Sequence, residues 1–431
     1  MWKTMLCLAM LAAMPAQSAD TPQTIAGNWQ GSMERGSARL PVSFDFPADA
    51  HGHGFFSAPD LGAIDVPLAN IRSGNAVHWE LVGDSTTIVF DGTEVDGTIS
   101  GTTRENAQAG SFRLHRASTS TTQPYTEEKV TFSDGDTLLA GSVFAPRTQG
   151  RHPAVIFVHG SGAEGRWACA YLADYVARHG MVALVYDKAG VGESSGDWRS
   201  SSLEDLAADA RAGIGLLAHR ADVDPARLGV YGHSQGGEIA PLIAANDEQV
   251  KWVIAADGPV GPQFRQDLFR VDTLLAARYR GAALREAERV YAEFVDTARN
   301  GTSHAPLRAD IARAGKAPWL DDLAIPDDGD WIWNWYRKAG NFDNTAAWAG
   351  VHVPVLLLFG GDDALVPARE SIAQTTALLA AHGNTRVLAR VYRGADHTLR
   401  IPPSTPDGWP RLAPGFPNVI VEFANGRMAL R

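Results

Sequence analysis

The stretch Leu228-Gly-Val-Tyr-Gly-His-Ser-Gln-Gly236 joins a short apolar run to a helix-like segment at 238–245. A serine hydroxyl is a poor nucleophile. It needs exposure, a neighbouring base and donors for the oxyanion that forms as it attacks. The two glycines of this G-x-S-x-G pattern permit a tight strand-to-helix turn with Ser234 at its tip in a strained conformation. The serine oxygen then projects above the sheet, at the positive end of the following helix. His233 adjoins Ser234, and neighbours on so sharp a turn point in different directions, so the base must come from farther along the chain.

Downstream, an apolar run at 355–359 leads straight into Gly360-Gly-Asp-Asp-Ala-Leu-Val-Pro367. An acid just past a strand's end can meet a base on the next such loop. Asp363 has the spacing from Gly360, Val366 and Pro367 that suits an orienting acid, with Asp362 as its rival. His397, in Gly394-Ala-Asp-His397, follows the last strand-like run at 387–391 and comes after serine and acid in that order. The oxyanion donors are expected to be the backbone N–H of Gln235 and one from His159-Gly-Ser-Gly162, after the run at 154–158. Ser161 is the preferred second donor and Gly162 the alternative.

Apolar runs at 154–158, 182–186, 228–231, 252–256, 355–359 and 387–391 alternate with helical segments, the signature of a mostly parallel sheet covered on both faces. The fold class is therefore α/β, with a leading hairpin around Ser133-Asp-Gly-Asp136. Along 203–217, Leu203, Leu206, Ala207, Ala210, Ile214 and Leu217 share one helix face, with Ser201 and Glu204 as a capping box. Between about 261 and 348 the alternation gives way to a charged helical insertion containing Trp319, Trp331, Trp333, Trp335 and Trp348. An insertion of this size is expected as a cap over the sheet's C-terminal edge.

Upstream, residues 19–117 carry short alternating runs, among them 40–46, 76–82 and 87–90, divided by the turn pairs Asp91-Gly92 and Asp96-Gly97. They predict a small antiparallel β barrel or sandwich. Gly27-Asn-Trp-Gln-Gly31 resembles the first strand of lipocalin-like barrels, with Trp29 as a core plug. Polar residues 118–124 read as the linker to a second domain over 125–431.

The chain has 431 residues, 45% of them hydrophobic, and a formal net charge of −11. That is enough for a large core plus a second domain, and the wrong sign for nucleic acid. Lys3, the apolar run at 5–13 and the small-residue site Ala16-Gln-Ser18 form a cleavable signal over 1–18, predicting a secreted or periplasmic protein. No later run supplies the roughly 20 apolar positions of a membrane span. Export removes Cys7 and leaves Cys169 alone, so no internal disulfide is expected and Cys169 reads as a buried small hydrophobe. Gly160-Ser-Gly-Ala-Glu-Gly165, with Asp187 at the next strand's end, also fits a dinucleotide-binding fingerprint. It stands mid-chain behind a hairpin, however, and competes with an ordered Ser–Asp–His set.

Taken together, His159-Gly-Ser-Gly162, Tyr186-Asp-Lys-Ala-Gly-Val-Gly-Glu-Ser194, the turn at Ser234, the strand end at Asp363 and His397 resemble secreted bacterial α/β-hydrolase carboxylesterases over residues 125–428. The resemblance implies the α/β-hydrolase fold with a helical cap, behind a small β domain. It also implies a Ser234–Asp363–His397 catalytic triad, hydrolysis of small-molecule esters with short acyl chains, and no metal or organic cofactor. Relatives are often labelled peptidases, so cleavage of small peptide amides is one alternative. A binding protein with the same fold and a dead site is another. The loop Ala163-Glu-Gly-Arg166 departs from near relatives, and Arg166 there either meets a substrate carboxylate or sits solvated at a helix start.

Overall fold

The computed structural model describes residues 25–48, 54–74, 76–83, 86–117 and 123–428. The expected export signal at 1–18, including Cys7, and residues 118–122 of the expected linker lie outside the described residues.

The first sheet is antiparallel and runs through β1 (Gly27–Arg35), β2 (Ala38–Phe46), β3 (Phe55–Ala58), β4 (Ala63–Pro67), β5 (Ala69–Arg72), β6 (Ala76–Val82), β7 (Thr87–Val95), β8 (Thr98–Glu105) and β9 (Gln108–Arg116). Its order is β4-β3-β2-β1-β9-β8-β7-β6-β5. The two edge strands are consecutive in the chain, so the sheet curls into a nearly closed barrel. Strict alternation drives this: in β2, Leu40, Val42, Phe44 and Phe46 face inward, and Arg39, Pro41, Ser43 and Asp45 face out. Trp29 is fully buried, its indole N–H donating to the Ile25 carbonyl at 2.7 Å. One expected turn is absent, because Asp91-Gly92 lies inside β7. A Cβ on Gly92 would come within 2.6 Å of the Ser100 carbonyl oxygen, so this glycine serves close strand approach. The turn falls at Asp96-Gly97, with φ of 50° and 75°.

The second sheet opens with the antiparallel hairpin β10 (Tyr125–Asp134) and β11 (Thr137–Pro146). There follow β12 (His152–Val158), α1 (Trp167–Arg178), β13 (Val182–Tyr186), α2 (Leu203–Ala218), β14 (Val223–His233), α3 (Gln235–Asn246) and β15 (Trp252–Ala256). The insertion holds α4 (Gln263–Arg278), α5 (Gly281–Asn300), α6 (Ala305–Ala314), α7 (Trp319–Leu323), α8 (Trp331–Ala339) and α9 (Thr345–Ala349). The chain ends with β16 (Val355–Gly360), α10 (Ala368–Ala381), β17 (Val387–Tyr392) and α11 (Asn418–Ala424).

The strand order is β10-β11-β13-β12-β14-β15-β16-β17, parallel from β13 onward, which is the α/β-hydrolase fold. Its strands read as continuous apolar runs because both faces are covered. In β12, Ala154, Ile156 and Val158 enter one core while Val155 and Phe157 enter the other.

The cap of α2 differs by one residue from the sequence expectation. Ser202 and Asp205 form the reciprocal capping box. Ser201 is already committed to closing the preceding 3-10 turn, its N–H donating to Trp198 and its hydroxyl to Asp197. The inserted helices build their own core, which buries Trp319 and Trp333. Trp348 instead enters the sheet's core, and Trp331 and Trp335 pack between the two. The insertion meets loops at the strands' C-terminal ends. Trp331 lies edge-on to Trp198 at 5.1 Å, and Gln266 donates to the Leu365 carbonyl at 3.1 Å. Cys169 is a buried free thiol whose pKa burial raises.

The barrel rests against the hydrolase body beside the His397 loop. Arg400 donates to the Leu61 carbonyl at 2.9 Å and to the Gly62 carbonyl at 3.3 Å. Arg35 lies 4.9 Å over the Trp409 ring, and Gln108 donates to the Pro406 carbonyl at 2.8 Å. Arg400→Met leaves two carbonyls without their donor and should destabilise by about 1–3 kcal/mol. A lower urea midpoint is the expected result; an unchanged midpoint would show the contact to be idle.

Candidate active site

Gly232, Ser234 and Gly236 make the sharp junction between β14 and α3. Ser234 sits at φ 54°, ψ −116°, a conformation that an L-residue adopts only under strain of about 1–3 kcal/mol. Its N–H donates to the Ala256 carbonyl at 2.8 Å, and its own carbonyl accepts the Glu238 N–H at 2.9 Å. The glycines are sterically required. A Cβ on Gly232 would stand 2.0 Å from the Gly236 carbonyl oxygen, and one on Gly236 would stand 2.2 Å from that of Val158. The turn therefore presses directly on the end of β12, from which the loop 159–162 departs.

Three distant loops converge at this rim. His397 Nε2 lies 2.9 Å from Ser234 Oγ, and its Nδ1 lies 2.8 Å from Asp363 Oδ2. A carboxylate can only accept, so Nδ1 carries the proton and Nε2 is left to accept from the serine hydroxyl. Asp363 Oδ1 accepts the N–H groups of Leu365 at 2.7 Å and Val366 at 3.1 Å. Burial pushes the Asp363 carboxyl up, but the His397 hydrogen bond and charge, with those two amides, outweigh it and hold the pKa below its ordinary value. Asp362, the rival acid, is exposed, and its N–H is used to stitch the acid loop to the Ala395 carbonyl at 2.9 Å. Gly360 completes that seam, since a Cβ there would meet the Asp396 carbonyl oxygen at 2.1 Å.

Around this relay the structure places groups that the sequence reading did not assign. Asp257, just past β15, is fully buried at φ 49° and accepts the Gly360 N–H at 2.8 Å. Polar side-chain atoms of Asp257, Asp363 and His397 all lie within 4.8 Å of one another. Burial first, then the Asp363 charge, drives the Asp257 carboxyl well above the carboxylate range. The rule that selects Asp363, an acid past a strand's end, also points to Asp257. His233 Nε2 lies 2.8 Å from the His397 carbonyl, so it must be the donor there. Burial, then the His397 charge, depresses the pKa of His233 to about 4, leaving a neutral ring that anchors the His397 backbone. Glu238, on the first turn of α3, is buried and its pKa is pushed up to about 8 by burial alone.

On the 159–162 loop, the Gly160 N–H is taken by Glu164 Oε2 at 2.6 Å, so the next amides are those of Ser161, which is exposed, and Gly162, which is buried. Arg166 and Asp187 belong to each other. The guanidinium spans both Asp187 oxygens at 3.1 and 2.6 Å and reaches Glu193 at 2.8 Å. Asp187 is thereby committed to Arg166, and Arg166 to Asp187 and Glu193.

Glu238 gives a pH test. The native state keeps its proton up to about pH 8, whereas the unfolded chain releases it near the ordinary carboxyl value, so unfolding is favoured increasingly as pH rises between them. Wild type should lose thermal stability relative to Glu238→Gln as pH is raised from about 5 to about 8, and a constant difference would contradict a protonated Glu238.

The chain is similar to several known proteins. The chain is 29% identical over 131 residues to the quorum-quenching protein AidA of Acinetobacter baumannii, a match covering 29% of this chain and 42% of that protein. It is 36% identical over 106 residues to an uncharacterised protein of Mycobacterium tuberculosis, covering 25% and 36%. The chain thus spans about two fifths of the length of these curated relatives. Among solved structures it is similar to an esterase of Pyrococcus furiosus, with 16% identity, TM-score 0.46, and coverage of 72% of this chain and 94% of that one. It is also similar to proline iminopeptidase of Mycobacterium smegmatis, with 18% identity, TM-score 0.45, and coverage of 69% and 98%. The model of the serine aminopeptidase S33 hydrolases matches residues 149–401, more than half of the sequence and all three residues of the relay, and the chain belongs to that α/β-hydrolase family.

Proposed function

We propose that this hydrolase cleaves small carboxylic esters through an acyl-enzyme on Ser234. The observation that carries the reading is His397 standing between Asp363 and Ser234 at 2.8 and 2.9 Å, with the serine on a strained turn. His397 Nε2 takes the hydroxyl proton as Ser234 Oγ bonds to the ester carbon, and the carbonyl electrons become the oxyanion. Asp363 holds the imidazole in the needed tautomer and stabilises its cation. The Gln235 and Ser161 amides receive the oxyanion. Collapse breaks the carbon–oxygen bond, and the leaving alkoxide takes the proton from His397. Water, deprotonated by the same nitrogen, then releases the acid and restores Ser234.

The charges around the turn favour esters over aminopeptidase substrates, whose ammonium group needs a carboxylate counterpart. Asp363 serves His397, Asp187 serves Arg166, Glu164 serves the Gly160 amide, and Asp257 and Glu238 are held neutral by burial. The family's description as serine aminopeptidases supports the second reading, cleavage of small amides. No helix among the described residues is long and apolar enough to cross a membrane. The signal at 1–18 supports export to the periplasm or beyond.

Nitrophenyl butyrate should turn over faster than aminoacyl nitroanilides; the reverse order would establish the amidase. Ser234→Ala should lower ester kcat by about 10⁶-fold. A fluorophosphonate should label Ser234, and an unlabelled wild type would identify a binding protein with a dead site.

A further inference from the structure

Beneath the oxyanion loop lies a lysine that the proposed cycle does not use. Lys188, two residues past β13, is 1% exposed, sealed in the body of the protein. Its ammonium donates to the Gly160 carbonyl at 2.5 Å, the Gly162 carbonyl at 2.9 Å and Gln235 Oε1 at 3.3 Å. The Trp198 ring lies 5.5 Å from it.

Three acceptors match the three N–H bonds of an ammonium. A neutral amine has only two donors and would turn its lone pair toward an oxygen, so the site selects the charged form. His159 begins the same loop. It is buried with neither ring nitrogen bonded to protein, and burial, then the Lys188 charge, holds its pKa well below the ordinary value. A cation there would have no acceptor and would repel Lys188.

The partners of Lys188 bracket or belong to the residues expected to supply the oxyanion donors: Gly160 and Gly162 flank Ser161, and Gln235 is the other donor residue. Gly160 C=O and Ser161 N–H are the two ends of one trans peptide plane and point in opposite directions. Fixing the carbonyl on Lys188 therefore aims the Ser161 N–H away from the lysine. Holding Gly162 C=O as well fixes the peptide plane that follows Gly162, so Ser161 is restrained from both of its glycine neighbours. Hydrogen bonding to the carbonyl also polarises the peptide and strengthens its N–H as a donor. The bond to Gln235 Oε1 ties the second donor residue to the same ammonium.

We propose that Lys188 is a positioning residue of the hydrolysis, which sets the Ser161 and Gln235 amides as one rigid oxyanion hole and biases it with a buried positive charge. This rests on the reading of Ser234 as nucleophile.

The test compares wild type with Lys188→Met and with Gln235→Leu, which removes the third acceptor but keeps the Gln235 N–H. For nitrophenyl butyrate, Lys188→Met should lower kcat by about 10²-fold while KM moves less than about threefold. Gln235→Leu should lower kcat by about tenfold in the same pattern. Affinity for butylboronic acid, a tetrahedral mimic, should fall in step with kcat, while inhibition by butyrate stays constant. Unchanged kcat and boronate affinity in either folded variant would overturn the proposal. So would equal losses of boronate and butyrate binding, which mark a merely structural role. If Lys188→Met does not fold, Gln235→Leu alone decides between these outcomes. Failure of the parent reading is separately visible, as a wild type that fluorophosphonate does not label.

Discussion

The backbone at Ser234 is held at φ 54° and ψ −116°, and nothing within the residue itself relieves that strain. Packing imposes it. Gly232 and Gly236 allow α3 to start so close to the end of β12 that a methyl group at either position would overlap a carbonyl oxygen. The strand pairs β12–β14 and β14–β15 fix where β14 must end, and the apolar cores on both faces fix the strands. Folding energy spent across a large sheet is thus concentrated on one half-buried hydroxyl. The turn depends on the sheet more than on any local preference.

A second constraint follows from the first. Bringing the serine, acid and base loops to one rim buries ionisable groups, and most of them are kept uncharged. Burial and the Asp363 charge drive the Asp257 carboxyl well above its ordinary value, burial alone holds Glu238 as an acid, and burial with the His397 charge keeps His233 a neutral ring. Asp363 keeps its charge because it has three donors: His397 and the Leu365 and Val366 amides. This sorting leaves the His397 ring facing one carboxylate on one side and one hydroxyl on the other.

Much of this is legible in the chain itself. Strands buried on both faces read as uninterrupted apolar runs, so β13 and β15 can be placed to the residue. Ser234, Asp363 and His397 stand out because each lies just past such a run, and the structure brings their side chains into contact. What eludes the sequence depends on tertiary contact. Gly92 looks like a turn residue but serves strand approach, and Ser201 looks like a helix cap but is spent on the turn before it. The tryptophans of the insertion divide between two cores, which composition cannot show. Asp257 and Lys188 give no periodic signal: Asp257 is one of several acids past a strand's end, and only the partners folded around it, as around Lys188, set it apart.

Hydrolysis through Ser234 requires that its Oγ become covalently acylated during turnover. Mixing the wild-type enzyme with nitrophenyl butyrate, quenching in acid within the first turnovers and mapping peptides by mass spectrometry reads this directly. The account requires a butyryl group on the peptide containing Ser234, absent when His397 is replaced by alanine. Butyryl transfer to another residue, such as Ser161, or rapid turnover with direct attack of water and no acylated peptide at any time, would contradict it.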